Sequence, residues 1–223
     1  MTRVLVLRPK PGSTATLELA RQLGLDAVAI PLFEIEAVDW EAPEPGSFDA
    51  LLLTSANAVR HAGDKLRDLR GLPVHAVGAA TAEAAREAGF DVASTGDAGV
   101  DRLLGSIEAD LKLLHLVGED RKRPAEARQK ITTVTVYRSK PLDGVAIEPA
   151  MGGVALVHSP RAGKRLAELV RADDRGHLAV AAISRIAAYA AGQGWSTIEA
   201  AEAPNDDALL ALAERLCNNL GKP

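Results

Sequence analysis

Tyr137 is one of only two tyrosines in this chain, the other being Tyr189. It closes a stretch rich in β-branched residues, Ile131-Thr132-Thr133-Val134-Thr135-Val136-Tyr137. A phenol at the end of such a strand can donate a proton to a leaving hydroxyl. Packing as a connector aromatic is the ordinary alternative. Hydroxyl-bearing pairs recur elsewhere as Thr54-Ser55, His158-Ser159 and Ser184-Arg185, and Thr81 follows closely on Gly78. Arg8 and Gly118 close apolar runs in the same way. A turn from strand to helix leaves the first helical N–H groups unpaired and partly positive. Such ends hold carboxylates or phosphates without a basic protein around them. Routine N-capping accounts for any one of these hydroxyls. Their recurrence at matching places favours a polyanion-binding cleft between two lobes.

Most other chemistry is excluded. Gly78-Ala79-Ala80-Thr81 lacks the glycine spacing of a dinucleotide fingerprint, and no Walker loop is present. Ser55 and Ser159 lack the glycine frame of a nucleophile elbow. His61, His75, His115, His158 and His177 have no ligand-like spacing and are expected to be surface or capping histidines, so no metal is expected. Glu119-Asp120-Arg121-Lys122-Arg123 reads as a solvated helix start, with Arg121 and Arg123 in reach of an anionic ligand.

These residues need a scaffold, and its pattern is visible. Short apolar runs at 4–7, 50–53, 74–77, 113–117, 154–157 and 179–183 suit strands buried on both faces. Amphipathic runs at 16–23, 56–69, 79–88, 100–107, 162–170, 186–191 and 207–216 suit helices. Alternation of the two means crossover units and parallel sheets. In such sheets, ligands bind beyond the C-terminal strand ends, where the polar residues above fall.

The chain also repeats itself. Asp49-Ala50-Leu51-Leu52-Leu53-Thr54-Ser55 is echoed by Gly153-Val154-Ala155-Leu156-Val157-His158-Ser159. Val77-Gly78-Ala79-Ala80-Thr81-Ala82 is echoed by Ile183-Ser184-Arg185-Ile186-Ala187-Ala188. The period of about a hundred residues indicates a duplicated domain, not a solenoid. Residues 3–30 precede the first copy and have no counterpart directly before the second. The expected path has domain one at 1–32 plus 142–223 and domain two at 40–131. Two antiparallel linker strands, 33–39 and 132–141, join them. Pro31, Pro43, Pro45 and Pro141 lie near these crossings, as linker composition predicts.

Composition sets the outer bounds. With 223 residues, the chain can bury a sizeable core. A net charge of −4 argues against a general nucleic-acid binder, and 3% aromatics against a base-stacking sheet. The single cysteine, Cys217, permits no internal disulfide and fits a reducing cytosol. The most apolar run, 178–191, is too short for a membrane span and carries Arg185. The first residues have too short an apolar core for a signal peptide.

Five ordered motifs together resemble the uroporphyrinogen-III synthase family. They are Leu53-Thr54-Ser55-Ala56-Asn57-Ala58-Val59, Val77-Gly78-Ala79-Ala80-Thr81-Ala82 with Gly89, Val134-Thr135-Val136-Tyr137-Arg138, Val157-His158-Ser159-Pro160, and Ala203-Pro204. The resemblance spans essentially the whole chain. It implies two flavodoxin-like domains joined by a two-stranded linker. It implies a cofactor-free lyase that closes hydroxymethylbilane into uroporphyrinogen III with inversion of the last ring and loss of water. It implies Thr54, Ser55, Thr81 and Ser159 as hydroxyls lining the cleft and Tyr137 as the group assisting hydroxyl loss. The substrate-binding set expected from residues and resemblance together is Arg8, Thr54, Ser55, Gly78, Thr81, Gly118, His158, Ser159 and Ser184. The family often carries a hydroxyl where this chain has Ile186-Ala187, so those two are left out of the site.

Two other classes compete. A non-catalytic two-domain clamp for a small anion would use the same strand ends. A nucleotide-sugar enzyme would need a phosphate loop richer in glycine than any here. No leftover apolar helix face is apparent, so a monomer in the cytosol, without nucleic-acid or membrane partners, is expected.

Overall fold

The computed structural model describes residues 2–97, 99–120, 124–125, 127–147 and 152–220. The chain starts with β1 (Val4–Val6), α1 (Gly12–Gln22), β2 (Ala27–Ala29), β3 (Phe33–Ala37), β4 (Ala50–Leu53) and α2 (Ala56–His61). It continues with β5 (Val74–Val77), α3 (Ala79–Glu87), β6 (Val92–Gly96), α4 (Val100–Ser106), β7 (Lys112–Gly118) and β8 (Lys130–Pro141). It ends with β9 (Val154–Val157), α5 (Pro160–Leu169), β10 (Ala179–Ala182), α6 (Arg185–Ala191), β11 (Thr197–Ala200) and α7 (Asp206–Leu220). The fold is mixed α/β with parallel sheets. The chain forms two compact units, Met1–Glu34 with Pro141–Pro223, and Ile35–Lys140.

In the first unit the strand order is β11-β10-β9-β1-β2, and every pair is parallel. Alternate residues serve opposite faces. Leu5, Leu7, Ala155, Val157, Val180 and Ala182 pack with Ala162 and Leu166 of α5 and Ala187 of α6. Val4, Val6, Val154, Leu156, Ala179 and Ala181 pack with Ala20 of α1 and Leu209, Leu210 and Leu216 of α7. Cover on both faces explains why these strands contain no polar alternation.

The second unit uses the order β3-β8-β7-β4-β5-β6. Leu51, Leu53, Val74, Ala76, Leu114, Leu116 and Val136 face α2 and α3, with Ala58, Val59, Ala82 and Ala85 against them. On the other face, Ala50, Leu52 and Leu113 meet Leu103 and Leu104 of α4. Burying one such leucine contributes about 2 kcal/mol.

Two expectations are corrected. The run 56–69 is not one helix: α2 stops at His61, Gly63 takes φ +71, and a separate 3-10 turn follows at Asp64–Leu69. That backbone conformation is open to glycine and ends the helix. β8 also pairs in parallel with β7 from Lys130 to Tyr137. Its other edge runs antiparallel to the β3 segment: Val38 N–H donates to Val136 C=O, and Leu142 N–H to Leu32 C=O. The histidines are not all at the surface, since His115 is 2% exposed. No helix among the described residues is long and apolar enough to cross a membrane.

Candidate functional site

In the second unit, Thr54, Ser55, Val77, Val100, Val117, Gly118, Asp120 and Tyr137 line a cavity of about 300 Å³. It opens at the C-terminal ends of β4, β5 and β7, the end at which parallel sheets bind ligands. Four residues singled out in the sequence therefore meet here: Thr54, Ser55, Gly118 and Tyr137.

A break in strand register aims Tyr137. Val117 pairs with Thr135 but Gly118 with Tyr137, so β8 carries an extra residue at this point. Bulges re-aim side chains in this way. The half-buried Tyr137 ring lies directly over Gly118, where a Cβ would come within 2.6 Å of Cζ. The His61 ring is tilted 38° to that of Tyr137, with the centroids 6.3 Å apart. Burial, and then the Arg60 charge, push the His61 pKa down, which favours a neutral imidazole.

Thr54 and Ser55 are held differently. Thr54 Oγ1 is 3.1 Å from Nε2 of the buried His115. Ser55 is the N-cap of α2, its Oγ accepting from Asn57 N–H at 3.2 Å. Capping uses a lone pair and leaves the hydroxyl proton free to donate. Capping and ligand binding are therefore compatible in one serine. Gly78 caps α3 with φ +86, and its own N–H donates to Gly96 C=O at 2.7 Å, so what lies beside Val77 is the start of the helix. Thr81 lies in the first turn of α3, is only 5% exposed, and is not among the residues lining the cavity.

The first unit assembles a second group, around Asp206 at the start of α7. Arg8 Nη1 lies 3.2 Å from both Asp206 carboxylate oxygens. The Thr16 hydroxyl donates to Oδ2 at 2.7 Å. His158 Nε2 sits 3.3 Å from Oδ1, close enough to act electrostatically although outside hydrogen-bond angles. The Asp206 carboxyl is held down at about 2. Its contact with His158 lowers it most; burial opposes; Thr16 and the charges of His158 and Arg8 lower it further. Ser159 caps α5 through Ala162 N–H at 3.1 Å, and Ser184 caps α6 through Ala187 N–H at 3.3 Å.

Nothing in the sequence singles out Asp206, His115 or His61 as site residues. Asp206 reads as an ordinary acidic helix start, and its bond to Arg8 joins residues 198 positions apart. Arg121 and Arg123 lie outside the described residues. Among the described residues, no cluster of three or more His, Cys, Asp or Glu is placed to hold a metal ion.

Fold and site first define a class: an α/β protein with two parallel sheets, whose strand tips carry hydroxyls, helix starts and one tethered arginine. The family model for uroporphyrinogen-III synthase HemD matches residues 14–211, and the chain belongs to the uroporphyrinogen-III synthase family. A crystal structure of uroporphyrinogen-III synthetase from Helicobacter pylori 26695 is similar, with TM-score 0.69 and 20% identity, over 97% of this chain and 100% of that one. A mutant uroporphyrinogen III synthase from the extremely thermophilic bacterium Thermus thermophilus is similar with TM-score 0.52 and 18% identity, over 98% and 100%. At these identities the two structures speak for the fold alone. No curated protein matches the chain.

Proposed function

We propose that this chain catalyses the uroporphyrinogen-III synthase reaction as a cofactor-free hydro-lyase acting on hydroxymethylbilane. The family match over residues 14–211 carries this reading. Loss of the terminal hydroxyl as water leaves an electrophilic azafulvene. The far pyrrole attacks it through its substituted carbon to give a spiro intermediate. Fragmentation and reclosure then reverse that ring. Simple closure to the type I isomer needs no enzyme. The protein's task is to hold a folded substrate so that the spiro route is faster, which is catalysis by positioning.

The residue roles are part of the same proposal. Tyr137 is the donor to the departing hydroxyl, either as general acid or through a placed water. Thr54, Ser55, Gly78, Thr81 and Gly118 serve the substrate from the second unit; Arg8, His158, Ser159 and Ser184 serve it from the first. The substrate carries acetate and propionate arms on every ring. Many spaced donors suit such a guest better than one cationic clamp.

Both units are proposed to be flavodoxin-like. Within the first, the strands follow the order 2-1-3-4-5 when numbered along that unit, which is the flavodoxin order. In the second, β8-β7-β4-β5-β6 has the same order with its first two strands moved to the end of the chain segment. The paired β3 and β8 segments, which contain both chain crossings, are proposed as the linker. The protein is proposed to work as a cytosolic monomer.

The test is to supply hydroxymethylbilane with and without the protein and separate the oxidised product isomers. Type III product only in the presence of the protein supports the reading. Type I alone in both samples contradicts it.

A further inference from the structure

α6 packs one face tightly on α5. Gly163 of α5 makes the approach possible: a Cβ there would lie 2.8 Å from the Ala187 carbonyl oxygen. Ala187 and Ala191 of α6 are fully buried. Arg185, Ile186 and Tyr189 are exposed, and their spacing of three and four residues puts them on one helical stripe. Tyr189 is 88% and Ile186 71% exposed, the two most exposed large hydrophobic side chains among the described residues. α6 therefore leaves an apolar face in water that the sequence pattern does not show. The Arg185 guanidinium beside it has no hydrogen-bond or ion-pair partner among the described residues. A single exposed apolar residue is ordinary, but here two adjoin an unpaired cation.

A guest that covers this stripe needs an apolar face and a negative charge together. The patch is small: two such side chains present on the order of 300 Å², whereas each partner in a stable dimer gives about 800 Å². That size suits one ring better than a second copy of the chain. The stripe follows Ser184, beyond the C-terminal end of β10, which is the ligand-binding end of a parallel sheet. Each pyrrole of a linear or closed tetrapyrrole has an apolar face, with acetate and propionate arms at its edge. We propose that the stripe binds one such ring, with Ile186 and Tyr189 against its face and Arg185 on one of its carboxylate arms. Offset stacking on the tyrosine suits an electron-rich ring. An apolar contact then stands where the family often carries a hydroxyl, at 186–187. This rests on a tetrapyrrole being the substrate, as proposed above.

The probe is uroporphyrinogen III, kept reduced under anaerobic conditions and titrated into the protein by calorimetry, so that no turnover is needed. Tyr189→Ala and Ile186→Ala should each weaken binding about tenfold, through lost apolar contact. Tyr189→Phe keeps the ring and should stay within about twofold of the wild type. Arg185→Gln should weaken binding and make it less sensitive to salt. Leu23→Ala, at the end of α1, removes an exposed apolar side chain outside the stripe and should leave the affinity unchanged. All these side chains are exposed, so every variant should melt like the wild type. Wild-type affinity in both Tyr189→Ala and Ile186→Ala overturns the proposal, as does a wild type that fails to bind the probe. A wild-type dimer that Tyr189→Ala turns into a monomer with affinity unchanged assigns the stripe to a second copy and overturns it too. Absence of type III product from a wild type that binds the probe through the stripe contradicts the functional reading instead.

Discussion

Tyr137 rests on Gly118 with no room for a methyl group between them: a Cβ on Gly118 would lie 2.9 Å from the phenol oxygen. The bulge that pairs these two residues and the missing side chain at Gly118 together set where the phenol sits. Gly118→Ala must push the ring aside at an overpacking cost of about 1–3 kcal/mol. Turnover should fall at least tenfold or so while the protein still melts cooperatively. Steady-state kinetics with a thermal melt check this. A Gly118→Ala protein with wild-type turnover would show that the ring's place is immaterial.

Tyr137→Phe removes one hydroxyl and leaves the ring on Gly118. If the phenol acts as general acid, turnover should fall by about 10²- to 10⁴-fold with stability unchanged. Rates followed across a pH series distinguish proton donation from water placement. Equal rates for both proteins at every pH would remove Tyr137 from the chemistry.

Asp206 gives a signed pH prediction. Its folded pKa is about 2 against an ordinary value of 3.8, so its stabilising effect is fully present above about pH 4 and lost as pH falls through 2. Asp206→Asn lacks that effect. Wild type should exceed the variant in stability at neutral pH, and the gap should narrow as the pH falls through this window. Urea unfolding at several pH values measures it. A gap independent of pH would mean that the carboxylate charge contributes nothing through Arg8, Thr16 and His158.

Ser159 separates capping from binding. Ser159→Ala should cost about 1 kcal/mol through the lost cap on α5. Ser159→Asp restores a good cap but replaces a donor with a negative charge. It should therefore melt like the wild type and show a raised KM. Equal KM values for the wild type and Ser159→Asp would assign this serine to capping alone.

The sequence exposes the scaffold more fully than the site. Buried strands such as β4 and β9 announce themselves by unbroken apolar runs, because cover on both faces forbids polar alternation. The hydroxyls at their tips are legible for the same reason, being the first polar residues after each run. Long-range pairing is not legible. His75 and His115 flank Leu52 from neighbouring strands, one bonded to Ser94 and the other to Thr54. Only strand order puts them under α4, and no local pattern encodes it. Asp206 escapes a sequence reading on similar grounds: its partners Arg8, Thr16 and His158 come from three separate stretches of chain. The run 56–69 misleads because helical periodicity continues across Gly63, whose positive φ breaks the backbone.

Substrate binding is proposed at the strand tips of each unit. Backbone amide NMR during titration with uroporphyrinogen III, kept reduced under anaerobic conditions, tests it most directly. Shifts should concentrate at 8–13, 158–161 and 184–187 in one unit and at 54–57, 78–81, 118–120 and 137 in the other. Shifts confined to one unit, or gathered at the opposite strand ends near 2–4, 24–27 and 214–218, would contradict it.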